Sequence, residues 1–168
     1  VIGTPLSTGS SVLLIPNYLM MMKLHLTNHW YTLPLLYTAY NLPLVIWMLI
    51  SGVRGLPYEI EEAARIDGCS QFYIITRIIP PVIRPSFAAA ALFAFIGAWN
   101  EFITATVMVN GYALKNIQMA IYDYIGFFGQ EWGPLCGAAT LAIIPILLVF
   151  TFLGKQLVSG LTAGAVKG

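Results

Sequence analysis

The sequence predicts an all-α membrane protein: a bundle of about four spanning helices with a charged helical loop on one side. Three observations predict it. First, 58% of the 168 residues are hydrophobic and 9% charged, against roughly 25% charged in a soluble domain, and the mean hydropathy is +0.79. Second, residues 1–22, 32–53, 86–109 and 134–153 are apolar and reach the ~20 residues that a helix needs to cross a bilayer. Third, the basic residues sort by side. With residues 54–85 placed inside, Arg54, Arg65, Arg77, Arg84, Lys155 and Lys167 are cytoplasmic and only Lys23 and Lys115 lie outside. Basic residues near span ends favour the cytoplasm, so both ends of this chain are expected there. A formal net charge of +1 provides no basic patch for a nucleic acid.

The elements follow in order. The chain starts at Val1 inside an apolar span, with no basic leader or small-residue cleavage site, and reads as truncated, with further spans expected upstream. The first span carries Pro5, Gly9 and Pro16, which neighbouring helices make tolerable. Lys23–Tyr31 is a short outside loop with Trp30 and Tyr31 at interfacial level. The second span holds Pro34 and Pro43, which predicts a kink near Tyr40–Pro43. The inside loop, about 54–85, predicts two short helices. Pro57 suits a first helical turn, Glu59, Glu61 and Glu62 lie at the positive end of the dipole, and Gly68 has the place of a C′ glycine. Ser70 can cap a second helix reaching about Ile79, where Pro80 and Pro81 are expected to stop it. The outside loop 110–133 is rich in Tyr, Phe and Trp and predicts an amphipathic segment in the outer interface. The tail, Gly154–Gly168, is rich in Gly and small residues and is expected to be extended and solvated.

The stretch "EEAARIDG", Glu61–Gly68, concentrates charge in a chain that has little of it. A solvated face would account for that. The small residues argue for something else: Ala63 and Ala64 beside Ile60 leave a helix face with almost no side-chain bulk. Such faces permit close backbone approach. Arg65 can pair with Glu61 or Glu62, and the helix reads as a plug for a socket on a partner protein.

These residues resemble a known pattern. Glu62-Ala63-Ala64, three residues, Gly68, nine residues, Ile78 and then Pro81 is similar to the EAA loop of binding-protein-dependent ABC importer permeases. Pro80 stands where that family usually has Leu. "GAWNEF" at Gly97–Phe102 and "GLTAGAVKG" at Gly160–Gly168 resemble the carbohydrate-uptake subgroup, in particular its second maltose-type permease. The resemblance covers essentially the whole chain and implies a permease domain with usually six spans, of which these would be the last four. It implies import of a sugar or oligosaccharide by alternating access, in a bacterial or archaeal cell membrane. The implied ATPase-coupling residues are Glu62, Ala63, Ala64, Arg65, Asp67 and Gly68. The implied partners are a dimer of ATPase subunits holding ATP and Mg, a second permease subunit and an extracytoplasmic solute-binding protein. The chain itself is expected to be a transporter subunit and not an enzyme, and to carry no cofactor: Gly154-Lys155 is followed by Gln156 and lacks the phosphate-loop pattern.

Glu101 is the only charge within a span, and such residues are functional candidates. It lies about sixteen residues into its span, about 24 Å up at ~1.5 Å per residue. That is the outer quarter of a ~30 Å hydrocarbon core. Two readings stand: a carboxylate reaching the interface or a neighbouring helix, or Trp99, Asn100 and Glu101 along the translocation path. His25 and His29 are four apart but lie in a loop without the H-E-x-x-H pattern, so no metal is expected. The alternatives are a permease for another small solute such as a polyol or glycerol phosphate, or a membrane enzyme or channel. An enzyme needs catalytic groups clustered at one depth, and a channel leaves the small-residue face without a purpose.

Overall fold

The computed structural model describes residues 13–126, 129–130 and 132–165. Most of the expected first span, with Pro5 and Gly9, lies outside the described residues, as do Phe127, Phe128 and Lys167. Helix dominates what is described. The helices are α1 (Leu14–Lys23), α2 (Thr32–Arg54), α3 (Tyr58–Ile66), α4 (Gln71–Val82), α5 (Arg84–Trp99), α6 (Ile103–Met108), α7 (Ile117–Tyr122) and α8 (Trp132–Ala165). A two-residue ribbon pairs β1 (Ile125–Gly126) with β2 (Gly129–Gln130) antiparallel. Two helices among the described residues are long and apolar enough to cross a membrane, Thr32–Arg54 and Trp132–Gly154. A third span results if α4 and α5, bent by 76°, count as one.

The chain divides into two compact units. The first is Val1–Asn41 with Gly97–Pro145. Its core gathers Met21 of α1, Leu33 and Leu36 of α2, Ala105 and Met108 of α6, Val109, and Met119 of α7. The loop after α1 is tied down by polar bonds. The Thr32 hydroxyl donates to the Leu26 carbonyl at 2.5 Å and accepts from the His29 N–H at 3.1 Å. Asn28, in the left-handed region at φ 58°, donates its N–H to the Met108 carbonyl at 3.0 Å and accepts from the Asn110 N–H at 2.8 Å. His29 stacks on Tyr31 with ring centroids 5.0 Å apart.

The second unit is Leu42–Ile96 with Ile146–Gly168. It buries Ala64, Ile74, Ile83, Ala88, Ala90 and Leu92. Alanines at α5 positions 88 and 90 allow close packing, and Gly52 has the same use: a Cβ there would overlap the Ser86 side chain.

Four stretches differ from the sequence expectation. The helical run starting at Arg84 stops at Trp99, so residues 86–109 are not one helix. Side chains that satisfy the opened backbone explain this, as described below. The second loop helix does not end before Pro80: α4 runs on to Val82. Its middle, Ile74–Ile78, is π-helical, with the Ile79 N–H bonded five residues back to the Ile74 carbonyl. A proline ring clashes with the carbonyl four residues earlier, and a wider turn just before the prolines relieves that clash. The tail is helical rather than extended as far as Ala165. It contains no proline and repeats Leu at 153, 157 and 161, and extending an existing helix gains one hydrogen bond per residue fixed. Among the described residues of 110–133, a 3₁₀ turn at Tyr112–Leu114, the short α7 and the ribbon stand in place of the one amphipathic segment expected.

Candidate functional site

The first candidate is the turn between α3 and α4, within the second unit. α3 begins after Pro57 and carries Glu59 and Glu61 in its first turn. It ends where Gly68 adopts φ +79°. The Gly68 N–H bonds to the Arg65 carbonyl at 3.0 Å and the Cys69 N–H to the Ala64 carbonyl at 3.0 Å. This pair of bonds is the Schellman closure, in which a left-handed C′ residue satisfies the last carbonyls. Ser70 then starts α4, its hydroxyl accepting from the Tyr73 N–H at 3.3 Å. Arg65 braces the corner. One of its guanidinium nitrogens, Nη2, lies 2.6 Å from Glu61 Oε1 and 3.2 Å from Gln71 Oε1, so it spans both helices across the turn.

The sequence-derived site residues divide by exposure. Glu62, Ala63, Arg65, Asp67 and Gly68 are exposed. Ala64 is 6% exposed and belongs to the interior of the unit. The two alanines therefore do not form one docking face; Ala63 alone is available. The apolar surface comes from residues that the small-residue argument passed over, Ile66 at 84% and Phe72 at 77% exposure. The acids Glu59, Glu62 and Asp67 of the same stretch are exposed as well.

The second candidate lies in the first unit, around "GAWNEF". Between α5 and α6 the residues Asn100–Phe102 leave the helical path. Non-helical backbone at membrane depth requires replacement partners, and three side chains provide them. Glu101 Oε1 accepts from the Thr104 N–H at 2.8 Å, and Oε2 from the Ala105 N–H at 3.1 Å. A carboxylate at a helix N-terminus both fills unsatisfied donors and meets the positive dipole end. The Tyr37 hydroxyl donates to Oε2 at 3.3 Å. On the carbonyl side, Asn116 Nδ2 donates to the Glu101 carbonyl at 2.8 Å and Gln118 Nε2 to the Trp99 carbonyl at 3.2 Å. Asn116 also caps α7, its Oδ1 accepting from the Met119 N–H at 2.9 Å. Trp99 Nε1 donates to the Ala142 carbonyl of α8 at 3.1 Å. Gly97 permits the approach of α2, since a Cβ there would lie 3.0 Å from Asn41 Oδ1.

Trp99 and Glu101 are thus held by their own backbone surroundings, and Asn100 is exposed. Tyr37, Asn116 and Gln118 were absent from the sequence reading. Asn116 carried a signal, because Asn before a short apolar helical run is a cap residue; Tyr37 and Gln118 carried none.

Comparison with known proteins concerns the chain as a whole. The family model described as "Binding-protein-dependent transport system inner membrane component" matches residues 6–162. The sulfoquinovosyl glycerol transport system permease of Agrobacterium fabrum is 35% identical over 93% of this chain and 55% of its own length. The diacetylchitobiose uptake system permease of Streptomyces coelicolor is 35% identical over 94% and 57% respectively. The trehalose/maltose transport system permease of Thermococcus litoralis is 37% identical over 87% and 53%. The chain spans about half the length of these relatives.

Proposed function

The chain belongs to the family of binding-protein-dependent transport system inner membrane components, and from that premise we propose that it is the membrane-spanning permease subunit of an ATP-driven importer for a sugar or oligosaccharide. Membership and the two long apolar helices make it an integral membrane protein. The names of the three relatives given above, each a transport permease for a sugar or glycoside, support the substrate class.

The observation that carries the coupling role is the braced corner at Gly68. It projects Ile66 and Phe72 from a small rigid unit held by the Schellman bonds and by Arg65. A lever that passes force between proteins needs that rigidity, because a loose loop would absorb the displacement. In this reading Glu62, Ala63, Arg65, Asp67 and Gly68 form or support the surface that meets an ATPase subunit. Ala64 acts from inside, holding α3 in place. Two ATPase subunits bind ATP and Mg, and their closure moves the corner and the helices that follow it. A second permease subunit completes the pathway, and a solute-binding protein delivers the sugar to the opposite face. The excess of Arg and Lys in residues 54–84 and at the chain's end supports a cytoplasmic corner and cytoplasmic ends for this chain. Trp99, Asn100 and Glu101 lie beside the pathway, with Asn100 the exposed member.

The test is co-purification. The tagged permease, in its full-length form, is extracted with mild detergent from membranes that also contain the ATPase. The ATPase should accompany the wild type and be lost with Gly68→Asp, which puts a further charge on the corner. Equal recovery from both would move docking away from this turn. Absence of an ATPase from both would remove the importer reading.

A further inference from the structure

The bend between α4 and α5 holds a second feature, distinct from the Gly68 corner. A groove of about 470 Å³ is lined by Thr76, Arg77, Pro80 and Pro81 of α4 and by Arg84 and Phe87 of α5. Both arginines are exposed, and among the described residues neither has an acidic partner: the two ion pairs are Arg65 with Glu61 and Lys115 with Asp123. The backbone adds an acceptor. The Thr76 carbonyl would ordinarily receive the N–H four or, in a π turn, five residues on. Those residues are Pro80 and Pro81, which have no N–H. The Thr76 hydroxyl is already committed, donating to the Phe72 carbonyl at 2.7 Å.

The groove therefore presents two unpaired guanidinium groups, an open carbonyl and an apolar wall of proline and phenylalanine. Its position defines the occupant. Arg84 is the first residue of α5, which carries no further charge through Trp99, so the arginines stand where an apolar span meets its polar end. Basic residues there meet the headgroups of the adjoining leaflet.

We propose that this groove binds the phosphodiester headgroup of an anionic phospholipid. Arg77 and Arg84 hold the phosphate, the Thr76 carbonyl accepts from a headgroup hydroxyl, and Phe87 lies along the glycerol and upper acyl chain. Guanidinium suits the task because its planar fork matches phosphate oxygens. The site ties the α4–α5 bend, just beyond the coupling corner, to the bilayer surface, so that motion of the corner is resisted by the membrane itself. The inference rests on the chain being a membrane protein and not on ATPase docking.

The full-length permease, purified from membranes and incubated with mixed vesicles of phosphatidylglycerol and phosphatidylcholine, is read by native mass spectrometry for retained lipid. Wild type should retain phosphatidylglycerol in preference to phosphatidylcholine. Each arginine replaced by glutamine should weaken that retention about fivefold, from the ~1 kcal/mol that a basic residue contributes at a membrane surface. Arg77→Lys with Arg84→Lys should restore part of it and also guards against a folding defect. Equal retention of both lipids by the wild type, or unchanged retention in the double glutamine variant, overturns the proposal. Displacement of the lipid by millimolar inorganic phosphate would assign the groove to a free anion and overturn it equally. The readout needs no ATPase, so loss of the coupling role would leave it intact.

Discussion

Glu101→Ala should loosen the α5–α6 break rather than empty a sugar site. The carboxylate accepts hydrogen bonds from the Thr104 and Ala105 N–H groups at 2.8 and 3.1 Å and from the Tyr37 hydroxyl at 3.3 Å. Alanine removes all three acceptor contacts at once. Loss of a helix cap costs about 1 kcal/mol, and a buried donor left without a partner costs about 1–3 kcal/mol. Thr104 and Ala105 are buried, so water does not readily replace the carboxylate, and the sum is about 2–4 kcal/mol. At the lower end this lowers the melting temperature by about 4–8 °C. The assay is thermal unfolding of the purified full-length transporter, followed by fluorescence-detected size exclusion, with sugar uptake measured in proteoliposomes. The expected result is a lower melting temperature and, at a temperature where the variant is folded, an unchanged KM for sugar. Glu101→Gln should fall between alanine and wild type, since it keeps one acceptor oxygen. An unchanged melting temperature with a raised KM would instead make Glu101 a substrate ligand.

The remaining predictions concern neighbouring contacts. Asn116→Ala frees the Glu101 carbonyl and the Met119 N–H together; a loss of about 2 kcal/mol is expected from two unmade bonds, read by the same unfolding assay. In a double-mutant cycle, Gly52→Ala should destabilise through its overlap with Ser86 and Ser86→Gly should recover most of the loss; additive effects would place the two residues out of contact. Ala63→Leu and Ala64→Leu should part company. Ala64 is buried and overpacking costs about 1–3 kcal/mol, so its variant should lose stability, whereas Ala63→Leu should keep its melting temperature and lose sugar-stimulated ATP hydrolysis in the assembled importer.

Local chain punctuation made the Gly68 corner legible from sequence. Pro57, Gly68 and Ser70 each act through their own backbone conformation, so a helix start, a left-handed stop and a second cap could be assigned without knowledge of the packing. The long apolar helix Thr32–Arg54 was legible for a similar reason, since its length and composition are properties of one segment. The α5–α6 break was hidden because its causes are distant in sequence. Glu101 caps the Thr104 and Ala105 N–H groups locally, but a lone Glu in an apolar run does not announce a break; the opened carbonyls are satisfied by Asn116 and Gln118, more than a dozen residues on. Pro80 and Pro81 predict a stop only against an α turn, and the chain uses a π turn before them. The face of α3 was misjudged for a subtler reason. Ala63 and Ala64 are neighbours in sequence but lie about 100° apart around a helix of 3.6 residues per turn, so one can be buried while the other is exposed.

Site-specific cross-linking from Ala63→Cys in the assembled transporter, with Cys69 and Cys136 replaced by serine, tests whether this corner meets the ATPase. Placed on the exposed side of α3, the new thiol should cross-link to the ATPase subunit, while a cysteine at Tyr112, in the loop assigned to the other side of the membrane, should not. No ATPase cross-link from position 63, or one from position 112 in its place, would contradict the assignment of this corner as the point where ATP-driven closure enters the membrane.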